Sequence, residues 1–538
     1  MSDVADNAGL RNLVMQYASM LRDIVRHPEE SWSLGIPEIP VEPLSTVSAS
    51  ADNNVPEENV QVWDDRFDAF REVLATTTKV PASNIHPGTA LATLGIDSIT
   101  AVQISAKTRR VGFRLTSAEI VQSRTVADLL KKLQVFNTIA TVDPAATPSI
   151  DIPHDRWSSI VSPELVELVE KVTPASAGME WMVGMWQRSR GSRFQHTFAY
   201  RLPVDVDSLK LRSAWDQLIH KHAVLRSTFA YDSEGGALRT VVFKPEALVS
   251  SWSEESLEAS EDPSVIVQQR MKEIVSSPPS VNRPFTRAVF LKFPQANYMV
   301  MHLHHFQYDA WSLQLLADDF SRIYAGEAPR SSSDIDSFLR HAVPSADVER
   351  EQMQYWKTAL QADRAALFPS LLSESTSSRR DVYTNYAAIS GASKLDKVAR
   401  EQAVSLQNVF LASWAQIQAR HSQSDSPVFS LWHSGRTGDV KDVERMAVPC
   451  INVLPFRVSG ARTGETLALA RHIQEGLQAR SAVVEQSRLA KVHEWVGCGE
   501  EPLSNVFVNI VKVAPDVEKN DAAFLQSLEV NTVANYIS

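Results

Sequence analysis

The chain is poor in cysteine and has no long apolar run. Its 538 residues include only Cys450 and Cys498, too few for a disulfide framework or a cysteine-rich metal site, which favours a reducing compartment. No stretch of eighteen apolar residues is present, and the polar start at residues 1–6 does not resemble a secretory signal. The sequence therefore predicts a cytoplasmic protein without a membrane partner.

Positive charge is also scarce. The chain has 53 Lys and Arg residues against 64 Asp and Glu residues, with a net charge of -11. Because binding to a phosphate backbone depends on clustered Lys and Arg, we expect no nucleic-acid partner. Hydrophobic residues at 44% and charged residues at 22% are typical of globular domains. A chain of this length is expected to form several domains, because single cores stop growing at shorter lengths.

The first part of the chain has the pattern of a helix, a linker and a small helical bundle. Apolar positions repeat with helical spacing over residues 10–28, and we assign residues 1–30 to this helix. Residues 31–62 have the Pro- and Ser-containing composition of a linker. Residues 63–135 are predicted to form a bundle whose helical stretches are 63–74, 98–110, 116–121 and 125–133.

A second linker, residues 136–171, leads to a larger region in which helices and strands alternate. The pattern restarts near residue 346, so we predict a mixed α/β region with a first lobe at 172–345 and a second lobe at 346–538. The predicted helices are 206–222, 312–324, 348–360 and two within 394–420. The predicted strands are 199–202, 238–243, 288–293, 298–304, 428–432 and 453–458.

The bundle contains a loop that delivers a serine to the start of a helix, in the segment Leu94–Ile99 (LGIDSI). Ser98 would meet the free N–H groups and the dipole of that helix, where a phosphodiester is favoured. Taken alone, Asp97 or Ser98 at such a position is more often a simple helix cap.

In a bundle of this size flanked by linkers, the segment around Ser98 resembles the attachment site of peptidyl carrier domains. The resemblance implies that Ser98 carries 4'-phosphopantetheine, added by a phosphopantetheinyl transferase. The thiol of that group would hold an acyl or aminoacyl group as a thioester.

A strand that ends in two histidines is the second chemical signal, in the segment His304–Ser312 (HHFQYDAWS). Side chains alternate along a strand, so His304 and His305 point to opposite faces and only one can reach a reacting group. A histidine in an apolar strand is by itself more often a core residue than a catalyst. The alternative for Asp309 is an exposed turn residue, and Trp311 is expected to pack into the core.

Other segments accompany the paired histidines: Val172–Met179 (VTPASAGM), Lys221–Phe229 (KHAVLRSTF) and Ala447–Arg457 (AVPCINVLPFR). Together with the histidine segment they resemble the condensation domains of nonribosomal peptide synthetases. The resemblance implies a two-lobed α/β chloramphenicol acetyltransferase-like fold that follows the four-helix carrier bundle. The chain departs from the family pattern at Ser176, Ala223 and Ala310, where Gln, Glu and Gly are usual.

The same resemblance assigns roles to the candidate catalytic residues. It implies that His305 faces the chemistry, that His304 packs away from it, and that Asp309 is a structural partner that orients His305. Arg226 and Arg436 are both candidates for the cation that pairs with Asp309. An imidazole with a pKa of about 6.5 can accept the proton of an amine that attacks a thioester, or stabilise its developing charge. No metal is required for this chemistry.

Both ends of the chain resemble pieces of condensation domains. The helix in residues 1–30 is similar to the last helix of a preceding condensation domain, and we expect the second lobe to be truncated. A carrier between two condensation units, with no adenylation domain, resembles the repeats of fungal ferrichrome-type siderophore synthetases. The resemblance implies a part of a longer enzyme in siderophore biosynthesis, whose other domains and carrier-bound thioesters are its partners.

Three functions are open at this point. The first is an enzyme that forms an amide, with an ester as the less favoured alternative, between carrier-bound acyl groups. The second is a noncatalytic module that docks or gates acyl carriers, which the departures at Ser176 and Ala223 keep open. The third is an epimerization domain, which also follows a carrier and uses paired histidines, although the segment Ile451–Arg457 resembles the motif that distinguishes condensation domains from it.

Overall fold

The computed structural model describes most of the chain in blocks separated by gaps. The described residues are 7–26, 65–135, 151–191, 193–234, 236–258, 262–276, 283–331, 335–360, 368, 392–436, 440, 442–480, 484–499, 501–510 and 531–534. The predicted linker at 31–62 lies outside the described residues, as do residues 136–150 of the linker predicted at 136–171.

The α-helices of the described residues lie in the N-terminal segment, in the bundle and in both lobes. They are α1 (Asn7–Arg26), α2 (Asp65–Thr78), α3 (Ser98–Arg110), α4 (Ser117–Gln122), α5 (Val126–Lys132), α6 (Ala177–Arg188), α7 (Ser208–Lys221), α8 (Pro263–Ser276), α9 (Ala310–Ala325), α10 (Ile335–Ala342), α11 (Ala346–Leu360), α12 (Ala392–Glu401), α13 (Leu406–Ser422), α14 (Thr466–Ala479) and α15 (Leu489–Val496). No helix in the described part of the chain combines the length and the apolarity needed to cross a bilayer.

The strands form small sheets. They are β1 (Phe113–Arg114), β2 (Gln134–Val135), β3 (Val169–Pro174), β4 (Gln195–Leu202), β5 (Ser227–Tyr231), β6 (Leu238–Phe243), β7 (Trp252–Ser256), β8 (Arg287–Lys292), β9 (Asn297–His304), β10 (Val428–His433), β11 (Asn452–Arg457), β12 (Phe507–Val508) and β13 (Asn531–Ala534). The sheet orders are β1-β2, β3-β6-β5, β13-β4-β9-β8-β7 and β11-β10-β12.

The carrier bundle consists of α2 to α5 around its own apolar core. Phe70, Leu94, Ile104 and Leu129 are among the side chains buried there. The short helices α4 and α5 each begin with a capping box in which a Thr hydroxyl and an acidic side chain satisfy the first free N–H groups. The four predicted helical stretches of the bundle are confirmed.

The first lobe is built on the five-stranded sheet. Helices α7 and α9 pack side by side against one face of this sheet, and their apolar side chains join those of β9 in one core that includes Trp215, Met301 and Phe320. Strand β4 pairs with β9 over its whole length, from Gln195 opposite His304 to Leu202 opposite Asn297. This pairing fixes which side chains flank the end of β9.

The second lobe is built on β10 and β11, which pair antiparallel, with β12 parallel to β10. Helices α13 and α14 cover this sheet, and the core between them is apolar. Strand β13 lies within the range predicted as second lobe, yet it pairs with β4 at the edge of the first-lobe sheet. The first lobe therefore includes a strand from the far end of the chain.

Helix α1 packs on the second lobe. Leu21 is completely buried in the second-lobe core, and Leu13 and Met20 pack near Ile417 of α13. The hydroxyl of Tyr17 donates a hydrogen bond of 3.1 Å to the carbonyl of Phe410. The origin of α1 in a preceding condensation domain stays a prediction, and its contacts here are with α12 and α13 of the same chain.

Candidate active site and carrier serine

The serine predicted to carry the cofactor is the first residue of α3. A 3₁₀ turn at Leu91–Leu94 precedes it, and Gly95 turns the chain in the left-handed region with a φ of 68°. The side chain of Asp97 accepts the N–H of Thr100 at 2.9 Å, so Asp97 is the helix cap. Asp97 therefore fills the cap position of α3.

The loop before Ser98 contacts the second lobe. The guanidinium of Arg400, on α12, donates a hydrogen bond of 2.7 Å to the carbonyl of Leu94 and lies against Gly95. A Cβ at Gly95 would approach that guanidinium to 2.9 Å. The glycine thus serves both the left-handed turn and the close contact with Arg400.

The paired histidines lie at the end of β9, where the chain turns. The strand ends at His304, and His305 begins a 3₁₀ turn that the sequence pattern did not predict. The N–H of His305 donates to the carbonyl of Phe194 at 2.7 Å, which ties the turn to the start of β4. The ring Nδ1 of His305 lies 2.7 Å from the carbonyl of Tyr308. Because a carbonyl only accepts, Nδ1 carries the proton and the lone pair is on Nε2.

The ring of His305 lies where the two lobes meet. It stacks on Tyr308 with 4.9 Å between centroids, and His196 and Phe194 of the first lobe lie 5.3 Å and 5.9 Å away. From the second lobe, Trp432 on β10 stacks on it at 6.2 Å. Burial among these rings lowers the pKa of His305, so the imidazole is neutral at pH 7.

His304 points away from this junction. It is completely buried, and Phe285, Phe306 and Trp186 surround its ring with centroids at 4.8 to 5.8 Å. Its Nδ1 accepts the N–H of Phe306 at 3.1 Å. Burial lowers the pKa of His304 well below 6.5. The ring therefore lies in an apolar core on the opposite side of the chain from His305.

Asp309 is a buried residue that bonds to several groups, and it is not an exposed turn residue. It caps α9 by accepting the N–H of Ser312 at 2.7 Å, and it accepts the N–H of Cys450 at 2.8 Å. The guanidinium of Arg436 donates to its two carboxylate oxygens at 3.1 and 3.2 Å. Arg226, the other candidate partner, binds Glu170 and the carbonyl of Phe243 instead. Asp309 therefore links the His305 turn to the second lobe.

Sequence reasoning missed two residues beside His305. His196 bonds through Nδ1 to the hydroxyl of Tyr308, and burial lowers the pKa of His196 to about 3. Trp432 supplies the second-lobe wall. Neither belongs to a motif, and only the pairing of β4 with β9 and the meeting of the lobes bring them to the site. The expectation that Trp311 lies in the core is wrong: it is half-buried, and its indole N–H donates to the carbonyl of Glu444 at 2.8 Å.

The three departures from the family pattern lie where a helix or a 3₁₀ turn begins, with Ala310 at the first position of α9. Ser176 is buried and caps α6, accepting the N–H of Met179 at 3.3 Å. Ala223 begins a short 3₁₀ turn, Ala223–Arg226. Among the described residues, no group of His, Cys, Asp and Glu side chains is arranged to hold a metal ion.

Comparisons with known proteins agree with these features. Residues 171–488 match the family model described as Condensation domain, and residues 68–133 match that described as Phosphopantetheine attachment site. Nonribosomal peptide synthetase NPS2 of Ceriporiopsis subvermispora (strain B) is 40% identical over 521 residues, which are 96% of this chain and 21% of that protein. The Ferrichrome siderophore peptide synthetase of Mycosarcoma maydis is 26% identical over 477 residues, 87% of this chain and 10% of that protein.

Solved structures share the fold. The crystal structure of holo T3CT aligns with a TM-score of 0.51 and 16% identity, covering 73% of this chain and 85% of that one. The predicted carrier bundle followed by a two-lobed condensation fold is thereby confirmed. The chain spans about a fifth or less of the length of the two synthetases, 21% and 10%.

Proposed function

This chain belongs to the condensation-domain family, and we propose that it forms an amide bond between two acyl groups held as thioesters on carriers. The carrier bundle would present the donor, and the junction of the two lobes would be the place of reaction. The observation that carries this proposal is the ring of His305, fixed by Tyr308 between the lobes with its Nε2 lone pair available.

His305 is suited to the proton transfer that aminolysis needs. An attacking amine must lose a proton as it bonds to the thioester carbon, and Nε2 of a neutral imidazole can accept that proton. Burial lowers the pKa of His305, which keeps the ring in the neutral form at pH 7. His304 and Asp309 do not contact the substrates in this proposal. His304 packs the end of β9, and Asp309 holds the His305 turn against the second lobe.

Ser98 is the proposed attachment residue for 4'-phosphopantetheine. Its place at the start of α3 suits a phosphodiester, because the first N–H groups and the helix dipole favour negative charge there. When bound, the group would supply the thiol that holds the donor acyl group as a thioester. A phosphopantetheinyl transferase is the enzyme we expect to load it, and the cytosol is the expected compartment.

We further propose that the chain serves siderophore biosynthesis as part of a longer synthetase. The support is its similarity to a protein named Ferrichrome siderophore peptide synthetase, over 87% of this chain. Other domains of such a synthetase would supply the second carrier with the acceptor amine.

The test uses the whole chain with a phosphopantetheinyl transferase and a panel of aminoacyl-coenzyme A donors. Intact mass spectrometry measures loading, and a soluble aminoacyl-N-acetylcysteamine thioester then serves as acceptor. We expect loading and a dipeptidyl product for the wild type, and neither for Ser98→Ala. Ser83→Ala, at an exposed serine of the same bundle, is the control and should load fully.

The outcomes separate the functions considered above. Loading without any amide product across the panel would contradict condensation and favour a docking module. Inversion of the loaded residue without a new bond would indicate epimerization. Equal loading of Ser98→Ala and wild type would refute the assignment of Ser98.

A further inference from the structure

The carrier bundle contacts the second lobe close to the residue that holds Asp309. The hydroxyl of Ser117, the first residue of α4, donates to the backbone carbonyl of Arg436 at 2.5 Å. The guanidinium of Arg109, near the end of α3, bonds to the carboxylates of Asp442 and Glu444. The Glu444 side chain is only 3% exposed and that of Arg109 15%, so this contact is shielded from water and stronger than an exposed ion pair.

Arg436 joins this contact to the active site. While its carbonyl accepts from the carrier, its guanidinium donates to three backbone carbonyls of the following segment, those of Val443 at 2.6 Å, Met446 at 3.0 Å and Val448 at 2.7 Å. The same guanidinium binds both oxygens of Asp309. The Arg436 side chain therefore connects residues 443–448, beside the carrier contact, to Asp309, which follows the His305 turn.

A second link runs through Glu444. Its side chain faces Arg109 of the carrier, and its carbonyl accepts the indole N–H of Trp311, two residues beyond Asp309. Asp442 has a left-handed backbone, with a φ of 58°, which costs free energy in a residue other than glycine. Burial raises the pKa of Glu444, and Arg109 opposes that rise. Loss of the carrier contact would remove this cation from Glu444 and Asp442 and the Ser117 donor from the carbonyl of Arg436.

We propose that seating of the carrier through Arg109 and Ser117 positions the Arg436–Asp309 pair, so that the His305 site is completed only when the carrier is docked. This inference rests on the proposed function and adds regulation to it. Arg109 and Ser117 are positioning residues, since they act through Arg436. The carrier of this chain would then have two roles, delivery of the donor and support of the site that uses it.

Soluble substrates separate the two roles. With the unloaded whole chain, a donor acyl-N-acetylcysteamine and an aminoacyl-N-acetylcysteamine acceptor, delivery by the carrier plays no part. We expect Arg109→Glu to lower kcat by about 5- to 100-fold with KM changed less than about twofold, in the range of coupling between linked sites. Arg109→Lys keeps the charge and should stay within about threefold of wild type. Arg124→Glu reverses an exposed charge of the same bundle and should leave kcat unchanged.

A second readout does not depend on activity. The thiol of Cys450 is buried, and burial raises the pKa of this thiol to about 12. The backbone N–H of Cys450 donates to Asp309. In a Cys498→Ser background, Arg109→Glu should increase the rate of Cys450 labelling by a maleimide at least fivefold. Phosphopantetheinyl loading equal to wild type would show that the bundle of the variant is folded.

The two measurements test the positioning role independently of the proposed condensation function. The inference would be overturned if Arg109→Glu had the wild-type kcat with soluble substrates and the wild-type rate of Cys450 labelling. The carrier contact would then be a simple docking surface. If the wild type forms no amide from any substrate, condensation fails as the function, and the labelling rate alone then supports or overturns the positioning role.

Discussion

Removal of the Arg436 guanidinium should destabilise the junction of the two lobes. Arg436 is 1% exposed, and its guanidinium donates to Asp309 and to three backbone carbonyls. Arg436→Met would leave the Asp309 carboxylate buried without its cation. Breaking such a pair costs about 3–5 kcal/mol, and carbonyls left without a donor add to this. We expect the free energy of unfolding to fall by roughly 4 kcal/mol, measured by urea denaturation with tryptophan fluorescence.

Matched variants sharpen this measurement. Arg350→Met removes an arginine whose side chain is 73% exposed, and it should change stability by less than about 0.5 kcal/mol. Asp309→Asn keeps an acceptor for the N–H of Ser312 but removes the charge. In a double-mutant cycle, Asp309→Asn and Arg436→Met should be non-additive by about 1–3 kcal/mol. A loss below about 1 kcal/mol in Arg436→Met, or full additivity, would refute the reasoning.

Two further predictions concern burial and close packing. Burial lowers the pKa of His302 to about 4 and that of His304 further, so the unfolded state takes up protons first as the pH falls below about 6.5. Stability should be constant above that pH and fall by at least about 3 kcal/mol at pH 5.5, about 1.4 for each of these two rings, with His196 adding to the loss, in urea titrations; equal stability at pH 7.5 and 5.5 would contradict it. A Cβ at Gly178 would lie 1.8 Å from the carbonyl oxygen of Ile451, so Gly178→Ala should cost on the order of 3 kcal/mol. Gly184→Ala in the same helix meets nothing within 4 Å and should stabilise the chain slightly; equal effects of the two variants on thermal unfolding would count against the close packing of the lobes.

Much of the architecture could be predicted because local patterns were strong. The predicted strands 238–243 and 298–304 correspond to β6 and β9, and the helices 98–110 and 348–360 correspond to α3 and α11 within two residues at each end. Strand β4 begins at Gln195, four residues before its predicted start, because pairing with β9 extends it. Strand β13 carried no usable signal, since its pairing with β4 joins distant parts of the chain.

The site itself was only partly predictable. The motif led to His305 and Asp309 because it is contiguous in sequence. It could not choose Arg436 over Arg226, since Asp309 and Arg436 are 127 residues apart and only the packing of the lobes brings them together. Trp432 and His196 lie on strands with no motif. The register of β4 on β9 brings His196 beside His305, and the meeting of the two lobes brings Trp432 there.

The rate of amide formation in a His305→Ala chain tests the central claim most directly. The chain is loaded at Ser98 with an aminoacyl group and mixed with a soluble aminoacyl thioester, and product is followed in a single turnover. Loss of a general base predicts a rate about 10²–10⁴-fold below wild type with loading unchanged, while His220→Ala, at an exposed histidine of α7, should react normally. A His305→Ala rate within threefold of wild type would contradict the account.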